Sequence, residues 1–479
     1  MKPVVAIVAG LYITSIAVGW GQYGLRSYAI GNGGAIGSSS SGAVQGMVGG
    51  AAVGRTSQGA NTVEAGLYRS HRWIEILMPN SGDQWTVGTS NTIRWRFVGK
   101  IPRVRIALST TGGSSWQELA SSTLNVGRYE WVPQQASSQA IIRVADRKDA
   151  IIRDESDGTF EIVEALLTII APTAGTVWQS GGNATIRWSS VGSLGPLELA
   201  YRVSSNAPWQ TIASGVSNTG SYGWIVPEDP AIGAQIRIRT TSPPVVEAIS
   251  DAFEIRSTTQ TAFQLAVWLE GGYEAAGGSM RMELEQQGYL PTGQPYGSRG
   301  YGGNEQRAGW VEGISDWVLL EFRSTTNVQQ VVGQTAGLLM SDGRIIDESG
   351  YPQVLVSSSV VPAGKYYVVV EHRNHVAVMS SSGVVGEVGR ATAGWDFRQG
   401  VGRAYQQYRA GQKQVGSVAV MVGGDVDGDG IINARDRVKS RNALFNVGYD
   451  SSDVTLDGTV NASDRTMIRN NAFWVTQVP

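Results

Sequence analysis

The sequence predicts a mainly β chain: a tandem pair of β-sandwiches, a further β-sandwich, and a small helical pair at the C-terminus. Three observations lead there. Val, Ile, Thr, Trp and Tyr are plentiful and broken up by Gly and Ser, with 62 Gly among 479 residues, the composition of short strands joined by turns. A stretch from Pro79 to Trp131 returns 93 residues later with its landmark residues in place. Near the C-terminus a 12-residue oxygen-rich loop occurs twice, each copy running into a helical segment. The length alone implies about three or more domains of ordinary size.

In chain order, residues 1–21 read as a signal peptide. Lys2 precedes an apolar run, and the small residues Gly19 and Gly21 stand before a cleavage point at Gln22. A membrane anchor is the alternative reading, the run being near the lower length for spanning. No later segment is long and apolar enough to cross a bilayer, so the chain is expected outside the cell or at its surface, with no membrane span once the signal is cleaved. Net charge is −2 with sparse charged residues, which argues against nucleic acid or an anionic membrane as partner. With no Cys, the chain has neither disulfides nor a thiol-linked lipid anchor. Residues 22–70, rich in Gly, Ser and Ala, read either as a small β module or as a linker.

The repeat follows, as residues 71–164 and 165–257. Pro79–Trp85 matches Pro172–Trp178, Thr92–Trp95 matches Thr185–Trp188, Trp116 matches Trp209, and Tyr129–Trp131 matches Tyr222–Trp224. Ile93 and Trp95 alternate with Arg94 and Arg96, the two-residue period of a half-buried strand. Several short strands per copy, with no helical pattern, point to a β-sandwich. Trp95, Trp131, Trp188 and Trp224 are expected in the cores. Trp116 and Trp209 follow turns and are the candidates for contact with a polysaccharide.

Residues 258–422 carry strand-like runs at Ala262–Leu269, Asp316–Phe322 and Lys365–Glu371, with a long loop formed by Leu290–Tyr296 and the Gly-rich run 297–303. Acids cluster in sequence at Glu312, Asp316 and Glu321 and at Asp342, Asp347 and Glu348, but a glycosidase needs two carboxyls converging on one cleft, which spacing alone does not establish. His372 and His375 flank an expected hairpin turn without the third ligand of a zinc site. No nucleophile elbow, Walker or Rossmann glycine pattern occurs. No catalytic residue is assigned.

Residues 423–479 hold the loops. Asp425, Asp427, Asp429, Asn433 and Asp436 occupy positions 1, 3, 5, 9 and 12 of the first; Gly430 gives the sharp turn at position 6, and Ile431 offers its carbonyl at position 7. The second repeats the layout 28 residues on, with Asp453, Thr455, Asp457, Thr459, Asn461 and Asp464. A hard cation such as Ca²⁺ takes about six to eight oxygens, which this spacing supplies from one loop. Two calcium sites are expected, the second weaker because Thr455 is neutral. Helices are expected over Arg437–Phe445 and Arg465–Phe473.

The paired EF-hand-like loop–helix halves, with Asp at position 12, resemble a type I dockerin over residues 424–474. That resemblance implies calcium and a cohesin-like partner. The residues at positions 10 and 11, Ala434-Arg435 and Ala462-Ser463, depart from the Ser-Thr pair common in clostridial examples, which opens docking on the chain's own upstream domain as the other reading. The tandem copies resemble immunoglobulin-like modules of the Kre9/Knh1 type found in bacterial surface proteins. Residues 22–70 are similar to N-terminal modules of secreted bacterial proteins with dockerin-like ends, which favours the small β module. Residues 258–422 look like the β-sandwich that precedes a dockerin pair in secreted Bacteroidetes-type proteins, and Glu371–Val376 matches a recurrent hairpin there. The expectation is an exported, non-catalytic surface protein in a structural or adhesion role. The alternatives are a carbohydrate-binding accessory component or a glycoside hydrolase of a polysaccharide-degrading system.

Overall fold

The computed structural model describes residues 72–479 and, upstream, the backbone of four short strands, Gly34–Ser39, Gly42–Met47, Gly54–Gln58 and Asn61–Ala65. These pair antiparallel as two hairpins, first with second and third with fourth. The expected signal segment, residues 1–21, lies outside the described residues. The chain is mainly β, 44% strand and 8% helix, and divides into two units, up to Glu164 and from Ala165 onward. No helix among the described residues is long and apolar enough to cross a membrane.

In the first unit, a three-stranded sheet of Arg128–Trp131, Asn91–Val98 and Trp73–Met78 shares a core with a larger sheet. The larger sheet runs Gln84–Thr86, Phe160–Val163, Ser137–Asp146, Arg103–Ser109 and Gln117–Leu124. Ile93 and Trp95 are buried while Arg94 and Arg96 are exposed, so the two-residue period selects the core face as expected. Buried Trp95 satisfies its indole N–H on Asn125 Oδ1 at 2.7 Å.

The second copy, in the other unit, has the same strand order. Leu166–Ala171, Asn183–Val191 and Ser221–Ile225 form the small sheet; Val177–Gln179, Phe253–Arg256, Ala231–Thr240, Leu197–Arg202 and Gln210–Val216 form the large one. Trp188 donates to Asn218 Oδ1 at 2.8 Å, so the Trp–Asn pair is part of the repeat. Trp224 is buried, and Trp131 is half-buried against Trp85 with ring centroids 5.9 Å apart.

The expected third sandwich is instead one sheet that closes on itself. Around the ring come Ile314–Ser324, Val331–Met340, Arg344–Ile346, Gln260–Ala266, Val384–Val388 and Gly364–Glu371, which pairs back with Ile314–Ser324. The 11-residue strand Ile314–Ser324 is paired on both edges, with Val331–Met340 and with Gly364–Glu371, which closes the sheet, and its first nine residues are buried. The three strands read from sequence are present. The barrel core includes Phe263, Trp317, Leu320, Phe322 and Leu338, and the 3₁₀ turn Tyr296–Arg299 lies in the expected long loop.

A short helix α1, Glu283–Gln286, packs beside the barrel. The C-terminal segment adds α2, Ala434–Asn442, and α3, Ala462–Asn470. Both start earlier than the sequence suggested. Asn433 and Asn461 cap them, and the position-12 acids Asp436 and Asp464 return a bond to the cap, so each helix begins inside its own loop. The chain then turns at Phe445 and Phe473, each in the left-handed region at φ 73° and 70°.

Candidate metal centre

The two loops are stitched alike. Asp436 accepts from the backbone N–H of Val426 at 2.7 Å and Asn433 at 2.8 Å. Asp464 accepts from Thr455 at 2.9 Å and Asn461 at 2.8 Å. Gly430 and Gly458, at φ 83° and 81°, reverse the chain so that their N–H groups reach Asp425 Oδ2 at 3.1 Å and Asp453 Oδ2 at 2.9 Å. The side-chain oxygens of Asn433 and Asn461, expected as ligands, cap the helices by accepting from Arg435 and Ser463 N–H, both at 2.7 Å.

The first loop brings carboxylate oxygens of Asp425, Asp427 and Asp429 within 4.8 Å of one another. Asp425 is only 3% exposed, yet its Oδ1 has no hydrogen-bond partner. A buried carboxylate oxygen without a donor is costly, and it faces two further carboxylates. Burial, then the Asp436 charge, push the Asp425 acid up to about 6, with Arg299 pulling the other way. In the second loop burial is again the main cause. Arg373 opposes it, while Asp464 and Asp457 add to it, and Asp453 is pushed up to about 7. An orphaned oxygen among crowded acids, with the Ile431 carbonyl close by in sequence, is a donor set suited to a hard divalent cation.

The loops are seated on the barrel through a buried polar network. Asp316 Oδ1 accepts from the Tyr449 hydroxyl at 2.6 Å; its Oδ2 faces His372 Nε2 at 3.0 Å and Arg373 Nε at 2.9 Å. Burial alone would raise the Asp316 acid, but Arg373 and His372 beside it hold it well below the usual carboxylate range. Burial pushes both imidazoles down, with the Asp316 carboxylate pulling the other way. Gly271 N–H donates to His375 Nε2 at 3.2 Å, leaving the proton of His375 on Nδ1, which faces His372 Nδ1 at 3.0 Å. His372 and His375 therefore serve this network, and the group that could hold a metal among the described residues, Asp425, Asp427 and Asp429, does not include them.

From that network two side chains reach the second loop and the turn just before it. Arg373 donates to the Asp450 carbonyl, and Asn374 Nδ2 to the Asp453 carbonyl at 2.6 Å. Leu456, fully buried, belongs to the barrel's own core. Backbone meets backbone at Gly271, where a Cβ would stand 1.7 Å from the Val454 carbonyl oxygen. The first loop is met by Arg299, whose guanidinium lies where a Gly428 Cβ would point and donates to the Arg373 carbonyl at 2.8 Å. A smaller core of Val376 and Val422 with Val426, Ile432, Val454 and Ile468 spans the join. Sequence reading missed Asp316, Arg373, Asn374, Tyr449 and Leu456 as seating residues. A signal was present, because Leu456 puts an apolar side chain where the first loop has Gly428.

Several of the remaining candidates have structural partners. Trp116 is half-buried under Arg143, whose guanidinium is 3.6 Å from the ring centroid. Trp209 has Arg202 and Arg237 at 4.4 and 4.7 Å. These arginines take ring surface on which a sugar would stack. Glu321 pairs with Arg323 at 2.7 Å, Asp342 pairs with Arg344 at 2.6 Å, and Glu312 is exposed. Asp347 and Glu348 are sequence neighbours, both raised chiefly by burial.

No family model matches the chain, and no curated protein matches it. Among solved structures, fibronectin(III)-like modules of Clostridium thermocellum CbhA align at 14% identity over 38% of this chain and 92% of theirs, with a TM-score of 0.19. A complex of Dpr2 Ig1-Ig2 with DIP-Theta Ig1-Ig3 aligns at 8% identity over 63% of this chain and 95% of that one, again at 0.19. Likenesses at that TM-score carry no argument about function.

Proposed function

We propose that residues 423–479 are a dockerin-type calcium module closed on the chain's own barrel, in an exported, non-catalytic surface protein whose immunoglobulin-like copies act as spacers. The observation that carries this reading is the seating of the second loop: Leu456 lies in the barrel core, and Tyr449 holds the buried Asp316. A module meant to dock on a separate protein would not bury its loop in its neighbour's core. In the first loop Asp425, Asp427 and Asp429 would hold the ion, with the Ile431 carbonyl; the second loop is the expected further site. When bound, calcium supplies the positive charge that lets crowded carboxylates stay ionised together. The protein's residues do the rest. Asp436 and Asp464 tie each loop to its helix, and Arg373 and Asn374 tie the second loop to the barrel.

The test is hydrogen exchange on the full chain with and without a calcium chelator. Chelation is expected to raise exchange in residues 423–479 and, together with it, at barrel amides facing the loops, such as Gly271 and Trp317. Exchange confined to the loops, with the barrel unmoved, would sink the clamp. Export is checked by finding the chain in the medium or on the cell surface after fractionation.

A further inference from the structure

We infer that only the first loop exchanges calcium, and that the second is a metal-independent lock in which protein donors stand where a cation would draw the carboxylates together. This rests on the calcium reading above and narrows it from two ions to one.

The loops share a sequence pattern but not an electrostatic state. In the first, three carboxylates crowd within 4.8 Å, the buried Asp425 keeps an oxygen without a partner, and Asp427 and Asp429 are exposed, so an ion can arrive and leave. Asn433 donates its amide N–H to the Ile431 carbonyl at 3.1 Å, as Asn461 does to the Thr459 carbonyl at 3.1 Å, but unlike Asn461 it makes no bond to the position-5 acid. Asp429 Oδ2 is then approached by Arg435 of exposed α2 only at 3.7 Å.

In the second loop the oxygens are already matched with donors. The Thr455 hydroxyl donates to Asp464 Oδ1 at 2.9 Å and stands 3.5 Å from Asp453 Oδ1, between positions 1 and 12. Asp453 Oδ1 and Oδ2 accept from the N–H groups of Asp457 at 3.2 Å and Gly458 at 2.9 Å. Asp457 accepts from Thr459 N–H at 2.9 Å and from Asn461 Nδ2 at 3.2 Å. No group of three acids forms there.

Charge points the same way. Thr455 replaces a carboxylate, and the buried Arg373 guanidinium stands near Asp453 as a fixed cation. A dication would be repelled by that guanidinium while breaking the Thr455 and Asn461 bonds. Protein also closes over the loop: the Tyr289 ring lies against Gly458, with Cδ2 2.9 Å from where a Cβ would be. A calcium ion needs about six to eight oxygens, often including water, and this loop has little space to add them. The first loop thus carries the calcium dependence, and the second carries the attachment to the barrel.

The experiment is native mass spectrometry of the full chain equilibrated with calcium alone, wild type against Asp427→Lys, which takes away a ligand oxygen and sets a cation at the exposed edge of the first loop, with tryptophan fluorescence confirming that both are folded. One ion in the wild type and none in Asp427→Lys is the expected result. Two ions in the wild type overturn the inference while leaving the calcium reading intact. One ion retained by Asp427→Lys overturns it too, since the ion would then belong to the second loop. No ion in the wild type overturns both.

Discussion

Replacing Leu456 by alanine removes a fully buried side chain that packs in the barrel core with Met280 and Leu284, although it comes from the calcium-type loop. Leu456 sits at φ 59°, a cost that leucine and alanine share, so the backbone cancels and packing decides the change. A buried leucine truncated to alanine costs about 2–5 kcal/mol, because the site collapses only partly. The backbone on one side is rigid: a Cβ on Gly272 would lie 3.0 Å from Leu456 Cδ1, so the barrel wall cannot follow the shrinking side chain far. Taking about 3 kcal/mol, a cooperative unit of roughly 150–250 residues loses about 6–12 °C in Tm. Scanning calorimetry of the full chain in calcium resolves the barrel's transition from those of the sandwich copies. If barrel and module melt together, that transition falls by the stated amount. A barrel transition that stays within about 1 °C, while a separate small transition moves, refutes the reasoning.

Three other outcomes are expected. Tyr449→Phe removes the donor at 2.6 Å from the charged Asp316 and should cost about 1.5–3 kcal/mol, seen as faster amide exchange at Trp317; unchanged exchange there argues against the network. Asp429→Ala takes one of three clustered carboxylates from the first loop and should abolish its calcium isotherm in titration calorimetry, an undiminished isotherm being the contrary result. Glu348, raised by burial and by Asp347 from 4.5 to about 8, binds a proton in the folded state across that window, so its contribution is full below 4.5 and lost as pH rises towards 8. Glu348→Gln should therefore gain on the wild type by on the order of 1–3 kcal/mol between about pH 5 and 8.5, and a difference flat with pH counts against it.

Much of the fold was legible because its signals are local. The alternation Ile93–Trp95 is set by the two-residue pleat of a strand, and its return at Ile186–Trp188 marks the tandem copies without reference to any tertiary contact. The loop spacing from Asp425 to Asp436 is likewise local chemistry, and the structure brings Asp425, Asp427 and Asp429 together from it. The helix starts were misplaced by three residues because the position-12 acids serve the caps as well as the loop, a double use that spacing does not reveal. The closed barrel was read as a sandwich because strand pairing across long separations, such as Leu319 with Glu371, leaves no mark in either segment alone.

The sequence by itself determined the strand-rich composition, the repeat and the paired oxygen-rich loops, since each depends on residues close together in the chain. Only the tertiary structure decided what those loops are attached to. Asp316 meets Tyr449 across 133 positions, and Arg373 reaches Asp450 across 77. Whether a carboxylate oxygen is left without a donor, as Asp425 Oδ1 is, or matched by a hydroxyl, as Asp464 Oδ1 is, depends on desolvation and on partners brought together only by folding.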